Sequence, residues 1–158
     1  MKIADVTVRL ARVADADGIA EMSRDYIELG LPWTWTAGRI EHAIREPDTN
    51  VVVVGDRGAI GAFGIMFHTK DDAHLLLFAV HKTVQRRGVG SAILRWLEEA
   101  ARTAGAKRIR VECRRDNAAA RNFYCEHGYA ELDITANYYR GLKDAIRLEK
   151  WLRTTDPE

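Results

Sequence analysis

Hydrophobic residues recur at two spacings along the chain, and each spacing predicts a different element. Apolar side chains at every second position are typical of a strand with one buried face, whereas a short continuous apolar run is typical of a strand covered on both faces. Residues 74–80, HLLLFAV, form such a run, so we expect this strand at the centre of a sheet. The predicted strands are residues 6–10, 51–54, 59–68, 74–80, 107–113, 129–135 and 144–151.

Helical spacing, with apolar residues three and four positions apart, appears in the intervals between several of these strands. After the fourth strand, Ile93, Leu94 and Leu97 share one face of such a pattern, and Gly105 follows as a C-terminal stop. The predicted helices are residues 15–29, 37–45, 88–104 and 117–127.

The order of these elements, βααβββαβαββ, defines the expected fold class. The strand–helix–strand unit over residues 74–113 predicts a parallel pair with a right-handed connection, and short turns elsewhere, such as residues 55–58, predict antiparallel hairpins. We therefore expect a mixed α/β (α+β) fold with a mostly antiparallel sheet of six or seven strands. The fourth and fifth strands would form its parallel pair, and helices would cover both faces. The chain has 158 residues and no internal repeat, so a single domain over residues 1–158 is expected.

Composition and charge argue against several classes of function. The net charge is +1, so no overall field favours a nucleic-acid or anionic-membrane partner. No apolar run approaches the length of about 18 residues that a membrane span needs, and the N-terminal segment lacks the apolar block of a signal peptide. A cytoplasmic protein is expected. The two cysteines, Cys113 and Cys125, are too few for a disulfide framework, and both are expected to be buried, reduced thiols.

The stretch VHKTVQRRGVGSAIL, residues 80–94, places basic and amide side chains and two glycines between a strand and a helix. A helix N-terminus exposes unpaired N–H groups and about half a positive charge, and glycines let the backbone approach a ligand closely. This pattern indicates a phosphate site. A Walker loop is excluded because Gly-Lys-Ser/Thr is absent, and a dinucleotide fingerprint is excluded because Ile93 occupies the third glycine position. The alternative is a basic loop whose glycines only soften the start of the helix.

Two segments resemble the GCN5-related N-acetyltransferase (GNAT) family. Residues 85–90, QRRGVG, look like its Q/R-x-x-G-x-G/A signature, and residues 117–129, NAAARNFYCEHGY, resemble its N-x-x-A-x-x-F-Y-x-x-x-G-F segment, with Tyr129 in place of Phe. The resemblance implies the GNAT fold and transfer of an acetyl group from acetyl-CoA directly to a primary amine. Residues 109–124 and 137–150 are also similar to the group that acetylates the N-terminal alanine of a ribosomal protein.

The same resemblance implies a coenzyme site, with acetyl-CoA as co-substrate and without a metal. The pyrophosphate would lie in the loop and first helical turn, and the thioester and pantetheine would lie where the fourth strand splays away from the fifth. The residues assigned to coenzyme binding are Phe78, Ala79, Val80, Gln85, Arg86, Arg87, Gly88, Val89, Gly90, Ser91 and Asn117. For Asn117 a plain helix cap is the alternative, and both roles are compatible.

Acetyl transfer to an amine requires a base for the ammonium group and an acid for the leaving thiolate. Tyr124, two turns along the helix that starts at Asn117, is the predicted acid, and a tyrosine packed under the sheet is the alternative. Glu112 precedes Tyr124 by twelve positions, as in the related group, and is the predicted base, acting directly or through one water. Its alternative is a surface ion pair with arginines of its own strand. His74 is a second candidate base.

Aromatic side chains are the candidates for the acceptor site, with rings that cap the core as the alternative. The acceptor is predicted to be a protein N-terminus or a small-molecule amine. Within the related group this chain departs by a shorter segment after residue 139 and by Lys143 in place of an acidic residue, so the acceptor stays open. A non-catalytic acyl-CoA sensor and a nucleic-acid-binding protein are the alternative functions, and a monomer and a homodimer are both compatible with the sequence. The acceptor candidates are Tyr26, Trp33, Trp35, His74, Tyr138 and Tyr139.

Overall fold

A computed structural model describes residues 6–56, 59–139, 141 and 143–152 of the chain. Within these residues seven strands form one sheet, in the order β1-β2-β3-β4-β5-β7-β6. The β4–β5 pair is parallel and the other pairs are antiparallel, which confirms the predicted mixed sheet. The strands are β1 (Arg9–Leu10), β2 (Thr49–Asp56), β3 (Ala59–His68), β4 (Asp72–Val80), β5 (Arg108–Arg114), β6 (Ala130–Tyr139) and β7 (Lys143–Trp151).

The helices lie close to their predicted positions, with one difference in the first. The predicted helix over residues 15–29 is a composite that ends in a π-helical turn, Ser23–Ile27. The helices are α1 (Ala16–Met22), α2 (Ala37–Arg45), α3 (Val89–Thr103) and α4 (Ala118–Glu126). Among the described residues, no helix is both long and apolar enough to cross a membrane.

Several predicted boundaries are corrected by the structure. Strand β1 pairs with β2 only at two positions, although alternation predicted a strand over residues 6–10. Strand β6 extends beyond the predicted residue 135 because its pairing with β7 continues to Tyr139. Cys113 is buried as expected, but Cys125 is exposed, so that part of the cysteine prediction is wrong. Residues 57 and 58 of the turn predicted over residues 55–58 lie outside the described residues.

Each face of the sheet has its own apolar core. Val51 and Val53 of β2 pack with α1 and α2, whereas Val52 between them packs with α3. This division follows from the alternation of side chains along a strand. Helices therefore cover both faces, as predicted, and the four consecutive valines of β2 are explained by burial on both sides.

A β-bulge in β4 opens the sheet at its centre. Leu75 lies opposite Met66 and Leu77 lies opposite Ile65, so Leu76 is an extra residue between two consecutive partners. The bulge switches the faces, because Leu75 joins the core of α3 whereas Leu77 joins the core of α1 and α2. The pairing of β4 with β5 also ends here, at the Leu75–Val111 pair. Beyond this point the two parallel strands diverge, as the family resemblance implied.

Candidate active site

A cavity of about 830 Å³ lies where β4 and β5 diverge. The second half of β4 and the end of β5 form part of its lining. The first turns of α3 and the inner face of α4 contribute on one side, and the α1–α2 loop (residues 28–36) contributes on the other. The cavity therefore connects the predicted phosphate loop with the predicted catalytic residues.

The loop before α3 turns tightly into the helix. Arg86 and Gly88 both have left-handed backbone angles, with φ of 65° and 80°. The side-chain amide nitrogen of Gln85 donates a hydrogen bond to the Val80 carbonyl at 3.0 Å, which ties the loop back to the end of β4. These contacts hold the N-terminus of α3 against the cavity, where its unpaired N–H groups favour an anion. Arg86 is part of the cavity lining, whereas Arg87 lies outside it.

The start of α3 is closely packed at Gly90, where a side chain would require a small shift of its neighbours. A Cβ atom on Gly90 would lie 3.3 Å from the Val80 side chain and 3.4 Å from the Phe123 ring.

Asn117, at the start of α4, combines two roles. Its side chain accepts a hydrogen bond from Ala120 N at 3.0 Å and also lines the cavity. The helix-cap interpretation of Asn117 is therefore confirmed, and the side chain remains placed to meet a ligand.

The two candidate bases are hydrogen-bonded to each other. His74 Nε2 lies 2.5 Å from Glu112 Oε1, and the Tyr138 hydroxyl donates to the same oxygen at 3.3 Å. Burial alone would raise the pKa of Glu112, but the His74 hydrogen bond and charge, with a smaller effect of Arg110, lower the pKa overall. Glu112 is thus an ionised acceptor at neutral pH. Among the described residues Glu112 pairs with His74 of the neighbouring strand, and not with the arginines of its own strand that the alternative interpretation named.

The Tyr124 phenol lies in the cavity wall and is 4% exposed. Its ring packs against Phe78 at 6.1 Å and Tyr129 at 5.6 Å, measured between ring centroids. Burial, with a smaller effect of Cys113, raises the pKa of Tyr124 well above its usual range. Tyr124 therefore keeps its proton and can serve as a neutral hydrogen-bond donor.

The α1–α2 loop is held by a buried carboxylate. Glu28 accepts hydrogen bonds from Thr34 N and Thr34 Oγ1, both at 2.7 Å. It also accepts from Ser23 Oγ at 2.9 Å and Trp35 N at 3.2 Å. Burial would raise the pKa of Glu28, but these donors lower the pKa overall, so the carboxylate stays ionised. One end of the loop is thereby fixed to the other.

Arg114 at the end of β5 ties the same loop to the sheet. Its Nη2 donates to the Ile27 carbonyl at 2.8 Å and also to the Leu29 carbonyl. These bonds join the end of the π-helical turn and the start of the loop to β5. Because Arg114 also lines the cavity, it connects the loop to the strand that carries Glu112.

The predicted acceptor residues differ in their relation to the cavity. Tyr26 lines it and accepts a hydrogen bond from Lys82 N at 3.0 Å, and Trp35 lines it beneath the Arg39 guanidinium, 3.7 Å from the ring centroid. Tyr138 and Tyr139 also line it. Trp33 is 43% exposed, has Arg24 beside its ring and lies outside the lining.

Several lining residues were not identified from the sequence. Glu28 and Arg114 depend on contacts between distant segments, so no local pattern indicates them. Phe123 packs against the core of α3 and also lines the cavity, where its ring lies 5.4 Å from that of Phe78 and 4.2 Å from that of His127, measured between centroids. His127 belongs to the segment that carries the family resemblance, and that position is the one signal that could have indicated it.

Sequence comparisons agree on one family, and solved structures share its fold. A profile described as the acetyltransferase (GNAT) family matches residues 18–129. The ribosomal protein bS18-alanine N-acetyltransferase of Salmonella typhimurium is 32% identical over 131 residues, which cover 73% of this chain and 87% of the relative. The crystal structure of the S18-alanine N-acetyltransferase from Escherichia coli has a TM-score of 0.79 at 24% identity and covers 97% of both chains. The PaiA N-acetyltransferase from Thermoplasma acidophilum, in complex with coenzyme A, has a TM-score of 0.78 at 14% identity over 94% of this chain and 99% of that one.

Proposed function

Since the chain belongs to the acetyltransferase (GNAT) family, we propose that it transfers the acetyl group of acetyl-CoA directly to the N-terminal amine of a protein. The chain is an N-acetyltransferase. We propose in addition that acetyl-CoA is the donor and that the N-terminal amine of a protein is the acceptor. The observation that carries the proposal is the cavity that joins the N-terminus of α3 to Glu112 and Tyr124. The Salmonella relative is named for an N-terminal alanine acceptor, and the PaiA structure contains coenzyme A, which supports both parts.

The coenzyme is proposed to lie along the divergence of β4 and β5. Its diphosphate would accept hydrogen bonds from the N–H groups of residues 88–91 and face the Arg86 side chain. Its pantetheine arm would bond to the edge of β4 beyond Leu75, where the pairing with β5 has ended. The same backbone edge, at residues 78–80, would place N–H groups near the thioester oxygen, where negative charge develops.

The acceptor amine is proposed to lose its proton to Glu112, directly or through one water. The lowered pKa of Glu112 makes it a weak base, which suits an α-amine of pKa about 8 better than an alkylamine of pKa about 10. At neutral pH a substantial fraction of such α-amines is already in the neutral form. The chemistry of Glu112 therefore favours a protein N-terminus over a lysine side chain or a small alkylamine.

The leaving thiolate is proposed to accept a hydrogen bond from Tyr124. The amine nitrogen bonds to the thioester carbon, the carbon–sulfur bond breaks, and the second amine proton is left to neutralise the sulfur. A thiol has a pKa of about 8.5, so full proton transfer from a phenol of raised pKa is uphill. Tyr124 thus stabilises the developing charge by donation, and its own proton is retained at the end of the reaction.

Coenzyme release from acetyl-CoA, followed with three sets of acceptors, tests the proposal. The first set has free N-termini beginning with alanine, the second has the same peptides blocked at the N-terminus but containing lysine, and the third consists of small alkylamines. We expect turnover with the first set and at least about tenfold lower kcat/KM with the others. Turnover confined to blocked peptides or small amines would refute the acceptor, and coenzyme binding without any turnover would favour the sensor function.

A further inference from the structure

We propose that His127, the residue directly after α4, positions the Ser91 hydroxyl toward the coenzyme diphosphate and makes coenzyme binding depend on proton uptake. The proposal rests on the proposed function, because it takes the diphosphate to lie at the N-terminus of α3. Ser91 belongs to the first turn of that helix, and both side chains line the cavity.

The imidazole is fixed on both of its nitrogen atoms. His127 Nε2 lies 2.8 Å from Ser91 Oγ, and His127 Nδ1 lies 2.8 Å from the Phe123 carbonyl oxygen. The Phe123 ring lies 4.2 Å from the imidazole, measured between ring centroids. The ring is therefore ordered by the protein itself, and its orientation toward Ser91 does not require a ligand.

These contacts determine which nitrogen carries the proton. A carbonyl oxygen can only accept, so Nδ1 is the donor to Phe123. In the neutral imidazole Nε2 is then an acceptor, and Ser91 donates its one hydroxyl proton to it. The lone pairs of Ser91 are left toward the cavity, where a diphosphate oxygen would be repelled.

Protonation of His127 reverses the direction of this hydrogen bond. Nε2–H then donates to Ser91 Oγ, and the Ser91 hydroxyl proton becomes free to bond to a diphosphate oxygen. The imidazolium charge adds a second attraction to the same anion. Diphosphate binding therefore favours the protonated form of His127 and is expected to take up a proton from solution.

Charged groups around His127 come from β7, α3, α4 and the loop before α3. Lys150 of β7 donates to the His127 carbonyl at 2.8 Å and pairs with Glu98 of α3 at 3.1 Å. Glu126, the last residue of α4, directly precedes His127, and Arg86 of the loop before α3 lines the same cavity. None of these side chains is a histidine, the residue type whose charge ordinarily changes between about pH 5 and 8.

The test is calorimetric titration with dephospho-coenzyme A between pH 6 and pH 8. This probe keeps the diphosphate but lacks the phosphate monoester, whose own second pKa near 6 would obscure the result. For the natural sequence we expect about tenfold weaker binding at pH 8 than at pH 6, the scale of one hydrogen bond to a charged group. Repeating the titration in buffers of different ionisation enthalpy should show proton uptake on binding.

Two variants and one control separate this mechanism from a general charge effect. His127→Gln should bind dephospho-coenzyme A with nearly constant affinity between pH 6 and pH 8. Ser91→Ala should also lose most of the pH dependence although His127 is retained, and it gives a second test should His127→Gln not fold. His42→Gln removes an exposed histidine of α2 and should keep the full dependence.

Each outcome bears on the proposal. A full pH dependence in His127→Gln would show that another group is responsible, and a full dependence in Ser91→Ala would show that His127 acts only through its charge. Either result contradicts the proposed role, as does the absence of pH dependence in the natural sequence. Failure of the protein with the natural sequence to bind coenzyme at any pH would instead overturn the proposed function, and this inference with it.

Discussion

At the scale of single residues, the site depends on the protonation states of two side chains, Glu112 and Tyr124. Glu112 is kept ionised by His74, and Tyr124 is kept protonated by burial. The two groups are therefore held in opposite protonation states, as a site that accepts a proton and stabilises a thiolate requires. Both states follow from burial and from specific partners in the structure.

Replacing Tyr124 by Phe should separate catalysis from coenzyme binding. The change removes only the hydroxyl, so we expect kcat to fall about 100-fold or more while the Kd for coenzyme A stays within about threefold. The matched control is Tyr129→Phe, which removes a hydroxyl bonded to Glu98 and should leave kcat unchanged. Steady-state kinetics and calorimetry measure the two quantities. An unchanged kcat in Tyr124→Phe would remove Tyr124 from the mechanism.

Replacing Glu112 by Gln should lower kcat about 100-fold between pH 6 and pH 9. Because the pKa of Glu112 is lowered below its usual value, its ionisation is lost only as the pH falls below about 4.5. The decrease in the rate of the natural enzyme as the pH falls below neutrality should therefore reflect protonation of the acceptor amine. The same decrease should persist in the variant. Glu149→Gln, on neighbouring β7 and paired with Arg108, is the control. A variant with full activity would exclude Glu112 as the base.

Sequence reasoning identified Glu112 and His74 separately, as rival bases. It could not show that they are hydrogen-bonded, because they lie 38 positions apart and meet only through the parallel pairing of β4 with β5. The structure places Glu112 on the opposite face of β5 from the buried Ile109, Val111 and Cys113, as alternation along a strand requires. Strand register was the missing information.

At the scale of elements, the divergence of β4 and β5 creates the site, and the α1–α2 loop closes one side of it. The bulge at Leu76 that starts the divergence was not predictable, because Leu75, Leu76 and Leu77 are all apolar and give no alternation that an extra residue could interrupt. The parallel pair and the glycine-rich start of α3 were predictable, because a strand–helix–strand unit has a fixed hand and a helix start has local signals.

Removing the Arg114 side chain should loosen the α1–α2 loop. In Arg114→Ala the carbonyls of Ile27 and Leu29 lose their donor, so the loop is no longer tied to β5. We expect KM for the acceptor peptide to rise about tenfold while KM for acetyl-CoA changes little. Arg115→Ala, which removes only a 3.4 Å surface pair with Asp144, should leave both constants unchanged. Equal effects of the two variants on the acceptor would contradict a positioning role for Arg114.

At the scale of the whole molecule, a central sheet buried on both faces carries the site, and a buried polar network joins α3 to β7 and to the end of α4. Lys150 lies 3.1 Å from Glu98 and also donates to the carbonyl of His127, while the Tyr129 hydroxyl donates to Glu98 at 2.9 Å. The side chain of Glu98 is only 6% exposed, so it depends on these donors.

Replacing Lys150 by Met should destabilise the fold rather than the chemistry. The change leaves Glu98 with a single donor in a buried position, and we expect the free energy of unfolding to fall by about 2 to 3 kcal/mol, the scale of a hydrogen bond to a charged group. Denaturant unfolding measures the loss. Lys143→Met, which removes a 3.7 Å pair with the exposed Asp116, should change stability by less than about 0.5 kcal/mol. Similar stability of the two variants would show that the network contributes little.

A crystal structure with bound acetyl-CoA, or with coenzyme A and an acceptor peptide, tests the central claim most directly. The account predicts diphosphate oxygens within hydrogen-bond distance of the backbone N–H groups of residues 88–91, and the sulfur beside the Tyr124 hydroxyl. The acceptor amine should lie on the side of Glu112 and the α1–α2 loop. A coenzyme bound elsewhere, or one whose sulfur lies remote from Tyr124, would contradict it.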